Sequence, residues 1–218
     1  MNLAVFDLDH TLLQDDSDRG WNQFLVDIGV VSDSEFAESN ERWYREYTGG
    51  TLDIHEYNRW AFRLHREHGT EQVTQWRDQY VRERGPAMIA PKTPEVLAKH
   101  RAQGDHILVI TATSEFIAGP IIELIGIEDY LGLKNEIVDG NYTGELVGIP
   151  TFKAGKIDAL QAWRAEHPSE FDKIWFYSDS HNDLPLLEQA DYPVVVDGDE
   201  RLSAHAQQMG WPQMTFRD

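Results

Sequence analysis

The sequence predicts an α/β fold: a parallel β-sheet with helices on both faces, carrying an all-helical insertion after its first strand. Three observations support this. Short apolar runs end in polar residues, Leu3-Ala4-Val5-Phe6 before Asp7, His106–Ile110 before Thr111 and Lys173–Tyr177 before Asp179. Stretches of helical period separate the later runs, as strand–helix alternation in a doubly covered parallel sheet requires. Residues 16–85, between the first two runs, hold four helical stripes and no convincing strand.

The first strand delivers Asp7 and Asp9 at its carboxyl end. Two positions apart, they point the same way, into the crevice where open α/β sheets bind ligands. In the insertion, Trp21, Phe24, Leu25 and Ile28 lie on one face of a helix. A second helix, opened by Ser32 or Asp33 and ended by Gly49-Gly50, carries Trp43, Tyr44 and Tyr47. Ile54, Tyr57, Ala61 and Leu64 mark a third, closed by Gly69. Val73, Trp76 and Tyr80 mark a fourth, ended by Gly85-Pro86. This periodicity assigns the aromatics to the interior of a bundle rather than to a substrate box. Beyond it come a helix over 94–103, a strand ending at Thr111 and a helix from Glu115 to Gly126. A hairpin follows, with Ile137-Val138 and Tyr142–Val147 flanking Asp139-Gly140-Asn141. Helix Lys153–His167, strand Lys173–Tyr177, short helix Leu184–Ala190, strand Tyr192–Val196 and helix Arg201–Met209 complete the chain. The core is therefore expected in residues 1–15 and 86–218, the helical insertion in 16–85.

A chain of 218 residues can bury one sizeable core with a smaller appended unit. No run nears the ~20 apolar residues of a membrane-spanning helix. Asp and Glu number 38 against 19 Lys and Arg, a formal charge of -19, which repels nucleic acid and anionic lipid alike. Neither nucleic acid nor membrane is an expected partner. Any anionic substrate must be drawn in locally, by lysines, amide N–H groups and a metal. Cysteine is absent, which excludes disulfides and thiolate metal sites, and the start of the chain enters a strand with no leader pattern. A reducing cytoplasm fits both.

Four islands carry chemistry. Asp7-Leu8-Asp9-His10-Thr11 brings together two carboxylates whose repulsion a cation or a shared proton relieves. One is suited to attack and the other to proton transfer. Thr111-Ala112-Thr113-Ser114 offers a hydroxyl and small-residue amides ahead of a helix, a cradle for a phosphate. Lys156, with Lys153 as its rival, can neutralise a nucleophile and hold a phosphoryl oxygen. Asp179 and Asp183, in Ser178-Asp179-Ser180-His181-Asn182-Asp183, form a second acidic pair of the oxygen-rich kind that Mg²⁺ takes. His65 and His68 lack a third ligand at usable spacing and are assigned to the bundle, not to a metal.

In this order the islands resemble the haloacid dehalogenase-like superfamily of aspartate-nucleophile phosphatases, and the resemblance covers the whole chain. Asp7-x-Asp9-x-Thr11 looks like its first motif, Thr111 its second, Lys156 its third, and Asp179 with Asp183 its fourth. The insertion is similar to that superfamily's C1 cap, and the core to its Rossmann-like sheet. Ser178-Asp179-Ser180, Asp183–Leu187, Arg201-Leu202 and Gly210-Trp211-Pro212 resemble the phosphoserine-phosphatase-like branch, subfamily IB, some of whose members act on histidinol phosphate. Two segments depart from it. Asp197-Gly198-Asp199 stands where relatives commonly carry Asn-Pro-Asp, and Thr111-Ala112-Thr113 where phosphoserine phosphatases usually carry Ser-Gly-Gly.

The resemblance implies Mg²⁺-dependent hydrolysis of a small phosphorylated metabolite. Asp7 would be the nucleophile, forming an aspartyl-phosphate, and Asp9 the general acid and then base. Mg²⁺ would be held by Asp7, the Asp9 backbone carbonyl and Asp179. Thr111, Ala112, Lys156 and Asn182 would bind the phosphate, and Asp183 would orient Lys156 or a metal-bound water. The cap should choose the leaving group. Asp15, Asp16, Ser17 and Asp18 concentrate negative charge where it begins, favouring a cationic phosphorylated amino acid or amino alcohol, histidinol phosphate ahead of phosphoserine. Arg45 and Arg59, like Arg42 and Arg63, are candidates either for a substrate carboxylate or for helix-surface ion pairs. A phosphotransferase passing the phosphoryl group to an acceptor alcohol needs the same residues for its first half-reaction. A non-catalytic phosphate-binding module would be expected to lack one of the acids or the lysine, and none is lacking.

Overall fold

Leu3, Ala4, Val5 and Phe6 have no accessible surface and form β1 (Leu3–Phe6), the strand on which the rest is built. In the computed structural model, which describes residues 1–167 and 171–218, β1 lies between β2 (His106–Ser114) and β5 (Ile174–Ser178), parallel to both. Alternation along β1 explains why all four residues are apolar. Leu3 and Val5 pack with Leu160, Trp163 and Leu202 on one face, Ala4 and Phe6 with Leu97, Phe116 and Phe216 on the other. Phe6 is in register with Val109 and Tyr177, so Asp7, Thr111 and Asp179 emerge along one edge.

With β3 (Asp129–Val138), β4 (Asn141–Val147), β6 (Tyr192–Val196) and β7 (Gln213–Met214), the described residues make a seven-stranded sheet in the order β4-β3-β2-β1-β5-β6-β7. Its connections run through α7 (Glu115–Ile125), α8 (Gly155–Glu166), α9 (Leu184–Leu187) and α10 (Glu200–Met209). Several boundaries differ from the sequence reading. β2 runs on past Thr111 to Ser114, whose hydroxyl caps α7 by accepting from the Phe116 amide. The hairpin is no separate irregularity. β3 begins at Asp129, pairs parallel with β2 in its first half and antiparallel with β4 in its second. Its turn has positive φ at both central residues, Asp139 (50°) and Gly140 (79°), the type I′ geometry that Asp-Gly favours. The helix after Asp183 is also shorter than expected, stopping at Leu187 rather than Ala190.

Between β1 and β2 the chain forms α1 (Ser17–Asp27), α2 (Asp33–Gly49), α3 (Ile54–Ala61), α4 (Arg63–His68) and α5 (Thr70–Met88), then α6 (Thr93–Gln103) against the sheet. The third stripe is two helices, broken at Phe62 (φ −90°, ψ 8°). Gly85-Pro86 does not end the fourth. α5 continues to Met88, because Pro86 removes a single N–H while Tyr80, Val81 and Met88 stay buried against the core. The two crossings into the insertion are tied together: Leu13 pairs with Ile89, Gln14 N donates to Met88 O and Ala90 N to Leu12 O. Trp21, Phe24 and Tyr80 cluster between α1 and α5, and the Tyr80 hydroxyl donates to Ser17 O. No described helix is long and apolar enough to cross a membrane.

Candidate active site

The chain leaves β1 in extended conformation at Asp7 and Asp9, with buried Leu8 between them facing the other way. It then reverses at His10, whose φ of 57° is left-handed, and a wide helical turn closes as Leu13 N donates to Leu8 O. Period-two alternation thus puts both carboxylates on the cavity side, as the sequence spacing required. Asp9 is held from two directions: Oδ1 accepts from Ser17 N (2.6 Å), Oδ2 from Thr113 Oγ1 (2.7 Å). The first residue of α1 and the end of β2 therefore position the same carboxylate. Burial, and next Asp16, push its carboxyl above the ordinary range. A proton is correspondingly easier for Asp9 to hold, and the Thr113 hydroxyl can rotate to suit either state.

Lys156 answers from the start of α8. Only 2% exposed, its Nζ lies 2.7 Å from Asp7 Oδ1 and 2.7 Å from Asp183 Oδ2. Gly155 allows this approach, since a Cβ there would fall 2.0 Å from Pro150 O. Asp183 Oδ2 also accepts from Ser178 Oγ (2.7 Å), and Thr11 Oγ1 donates to Asp179 Oδ1 (3.4 Å). Burial would lower the Lys156 ammonium, but Asp183 and Asp7 outweigh it and hold it above its usual value. The acids are not equally served. Burial pushes Asp7 up to about 7 despite Lys156, with Asp183 and Asp9 adding to the rise. Burial and then Asp7 hold Asp179 well above the carboxylate range. Such a deficit of positive charge among hard oxygens is what a divalent cation relieves. Among the described residues no three His, Cys, Asp or Glu side chains converge on one point. Asp7 and Asp179 nonetheless bring two hard carboxylates to one cavity, chemistry that fits a divalent cation.

A cavity of about 240 Å³ opens over these groups, lined by Asp7, Asp9, Thr111, Ala112, Thr113 and Asp179 from the sheet edge. Thr111 is buried; its Oγ1 accepts from Thr113 N and its carbonyl from Thr151 Oγ1. Opposite stand residues of the insertion: Asp16, Asp18, Arg19, Asn22, Trp43 and Tyr57 among them. Asp16 lines the cavity but spends Oδ1 capping α1, accepting from Asp18 N and Arg19 N. Ser17 serves through its backbone N–H. Arg45 and Arg59 do not reach the cavity: Arg45 bonds to Glu41 O, and Arg59 pairs with Glu145. Arg42 and Arg63 are likewise held by surface glutamates. Asn182 is turned away, its amide donating to Tyr47 O, and Lys153 donates to Gly50 O rather than to an acid of the site. Both tie the end of α2 to the core.

Sequence periodicity missed the walls. Trp43 and Tyr57, assigned to a bundle interior, line the cavity with Trp60, and the three pack on one another at ring separations of 5.4, 5.8 and 5.7 Å. An apolar stripe looks the same whether it faces a helix or a cavity, so only the polar residues among them, Asp16 and Asp18, signalled a site.

The model of the haloacid dehalogenase-like hydrolases matches residues 4–188. The chain is 38% identical over 220 residues to a histidinol-phosphatase of Neisseria meningitidis, covering 99% of each. A solved structure of a Bordetella pertussis protein of unknown function superposes with a TM-score of 0.90 at 32% identity, covering 99% of this chain and 98% of that one. A phosphoserine phosphatase with a phospho-aspartyl intermediate analogue has a TM-score of 0.67 at 14% identity, over 99% and 93% of the chains, a likeness of fold.

Proposed function

This chain belongs to the haloacid dehalogenase-like hydrolases and is a phosphatase of their phosphoserine-phosphatase-like branch, and from that premise we propose that it hydrolyses histidinol phosphate through an aspartyl-phosphate on Asp7. Asp7 attacks phosphorus with the oxygen that Lys156 leaves free, and the bond from phosphorus to the leaving alkoxide breaks as Asp9 gives it a proton. Asp9 then takes a proton from water, the water oxygen attacks phosphorus, and the bond to Asp7 breaks to release phosphate. Lys156 and the Thr111 hydroxyl, with the Ala112 amide, hold the phosphoryl oxygens; Asp183 fixes the Lys156 ammonium. Asp7, Asp179 and the Asp9 carbonyl would hold Mg²⁺, which when bound offsets the charge of these acids and of the phosphate. The insertion acts as a cap that excludes water and large substrates.

One observation carries the substrate reading: the wall facing Asp7 combines Asp16 and Asp18 with Trp43, Tyr57 and Trp60. Carboxylates and aromatic faces together suit a flat cation. The cavity's volume suits a ligand below drug size, and the similarity to a histidinol-phosphatase extends over the whole chain. Phosphate release from histidinol phosphate, phosphoserine, a hexose phosphate, a nucleoside monophosphate and a phosphopeptide tests this. The expected result is the highest kcat/KM for histidinol phosphate, by ~10-fold or more. A hexose phosphate, nucleotide or phosphopeptide in first place contradicts the substrate while leaving the phosphatase.

A further inference from the structure

Every acid lining the cavity has at least one oxygen committed. Asp7 accepts from Lys156, Asp9 from Ser17 and Thr113, Asp179 from Thr11, and Asp199 from His181 and the first turn of α10. Asp16 caps α1. Asp18 is different. Its Oδ2 accepts from the Tyr57 hydroxyl, and its Oδ1 accepts nothing among the described residues. It sits in the first turn of α1, where the helix dipole favours an anion, against burial and the nearby Asp16, which push its carboxyl up to about 7, and it lines the cavity. Tyr57, which bonds to it, packs on Trp43 and Trp60. Trp43 is 6% exposed, and its indole N–H is buried without a partner. Of the Lys and Arg side chains described, Arg19 alone lines this cavity, and it is exposed.

We propose that Asp18 is the specificity-determining residue for the leaving group, accepting a hydrogen bond from an imidazole N–H whose ring lies within the walls of Trp43, Tyr57 and Trp60. This rests on the histidinol-phosphate reading and assigns the ring to named residues. A planar N–H donor matches a carboxylate oxygen set among aromatic faces. A primary ammonium keeps most of its hydration only outside such a box. Tyr57 is a positioning residue: its hydroxyl fixes Asp18 and leaves the other oxygen for the ligand.

The test compares kcat/KM for histidinol phosphate and phosphoethanolamine, which share an ammonium and a phosphate and differ in the ring. Wild type is expected to favour histidinol phosphate. Asp18→Asn should reduce that ratio ~10-fold or more, chiefly through KM. Tyr57→Phe, which keeps the ring and removes only the hydroxyl, should reduce it less, and it decides the matter if Asp18→Asn does not fold. A wild type with no preference overturns the substrate reading and this assignment together. A wild-type preference that the folded variants retain, or an equal loss on both esters, overturns the Asp18 assignment alone.

Discussion

At Lys156 one ammonium serves two buried carboxylates, Asp7 and Asp183, each at 2.7 Å. Replacing it by Met should leave both unpaired. We expect a loss of ~3–5 kcal/mol in urea unfolding, together with loss of turnover, since uncompensated buried charge is the costly outcome. Unchanged stability would mean that the acids are neutral without it. The site's acids were legible because strand ends and period-two spacing fix where Asp7, Asp9 and Asp179 emerge. The choice between Lys153 and Lys156 was not legible from spacing. It is made by backbone geometry: Lys153 has a left-handed φ of 51° and reaches Gly50 O, while Lys156 opens α8 toward Asp7. Sequence likewise placed Asn182 beside the acids without showing that its amide donates to Tyr47 O in α2.

Among the elements, the hairpin and the helical insertion depend on each other. Asn58 of α3, 2% exposed, donates to Gly144 O in β4 (2.6 Å) and accepts from Asn135 in β3 (2.7 Å), which in turn accepts from Ser114 at the end of β2. Asn58→Ala strands a buried amide and a carbonyl, so a destabilisation of ~1–3 kcal/mol should appear as a lower denaturation midpoint. His65 of α4 lies in an aromatic nest, stacked on Phe62 and edge-on to Phe116 and Tyr142, with Nδ1 unpartnered. Burial, helped by Arg77, lowers its pKa from 6.5 to about 4. The folded state then stays neutral where the unfolded chain takes a proton. Its stabilising share is complete above the unfolded value and is lost as pH falls from there toward the folded one. By pH ~5 the loss should be on the order of 2 kcal/mol. Thermal unfolding of wild type and His65→Phe between neutral pH and that point checks it: the variant should show a shallower fall, and parallel curves would refute the assignment. Neither contact was visible in sequence. Helical periodicity found the stripes, but the break at Phe62 and the long β3 arise from packing between segments far apart in the chain.

Across the whole molecule, the end of α2 is moored to the sheet edge by Asn182, Lys153 and Arg201, donating to the carbonyls of Tyr47, Gly50 and Thr48. These contacts set the insertion over the acids and enclose the cavity. Alternating strands and helices made the architecture readable, as did the absence of strand pattern over residues 16–85. The aromatic wall was not, since burial against a cavity and burial in a core leave the same stripe. With Asp7 and Asp179 both short of positive charge, removal of divalent metal by a chelator should abolish turnover and Mg²⁺ should restore it. Full activity in excess chelator would contradict a metal role. An aspartyl-phosphate on Asp7 can be trapped by an acid quench during turnover of histidinol phosphate and located by peptide mass spectrometry. The expected result is a phosphoryl group on Asp7, absent in an inactive Asp7→Asn variant. Turnover by Asp7→Asn, or a phosphoryl group trapped on any other residue, would contradict it.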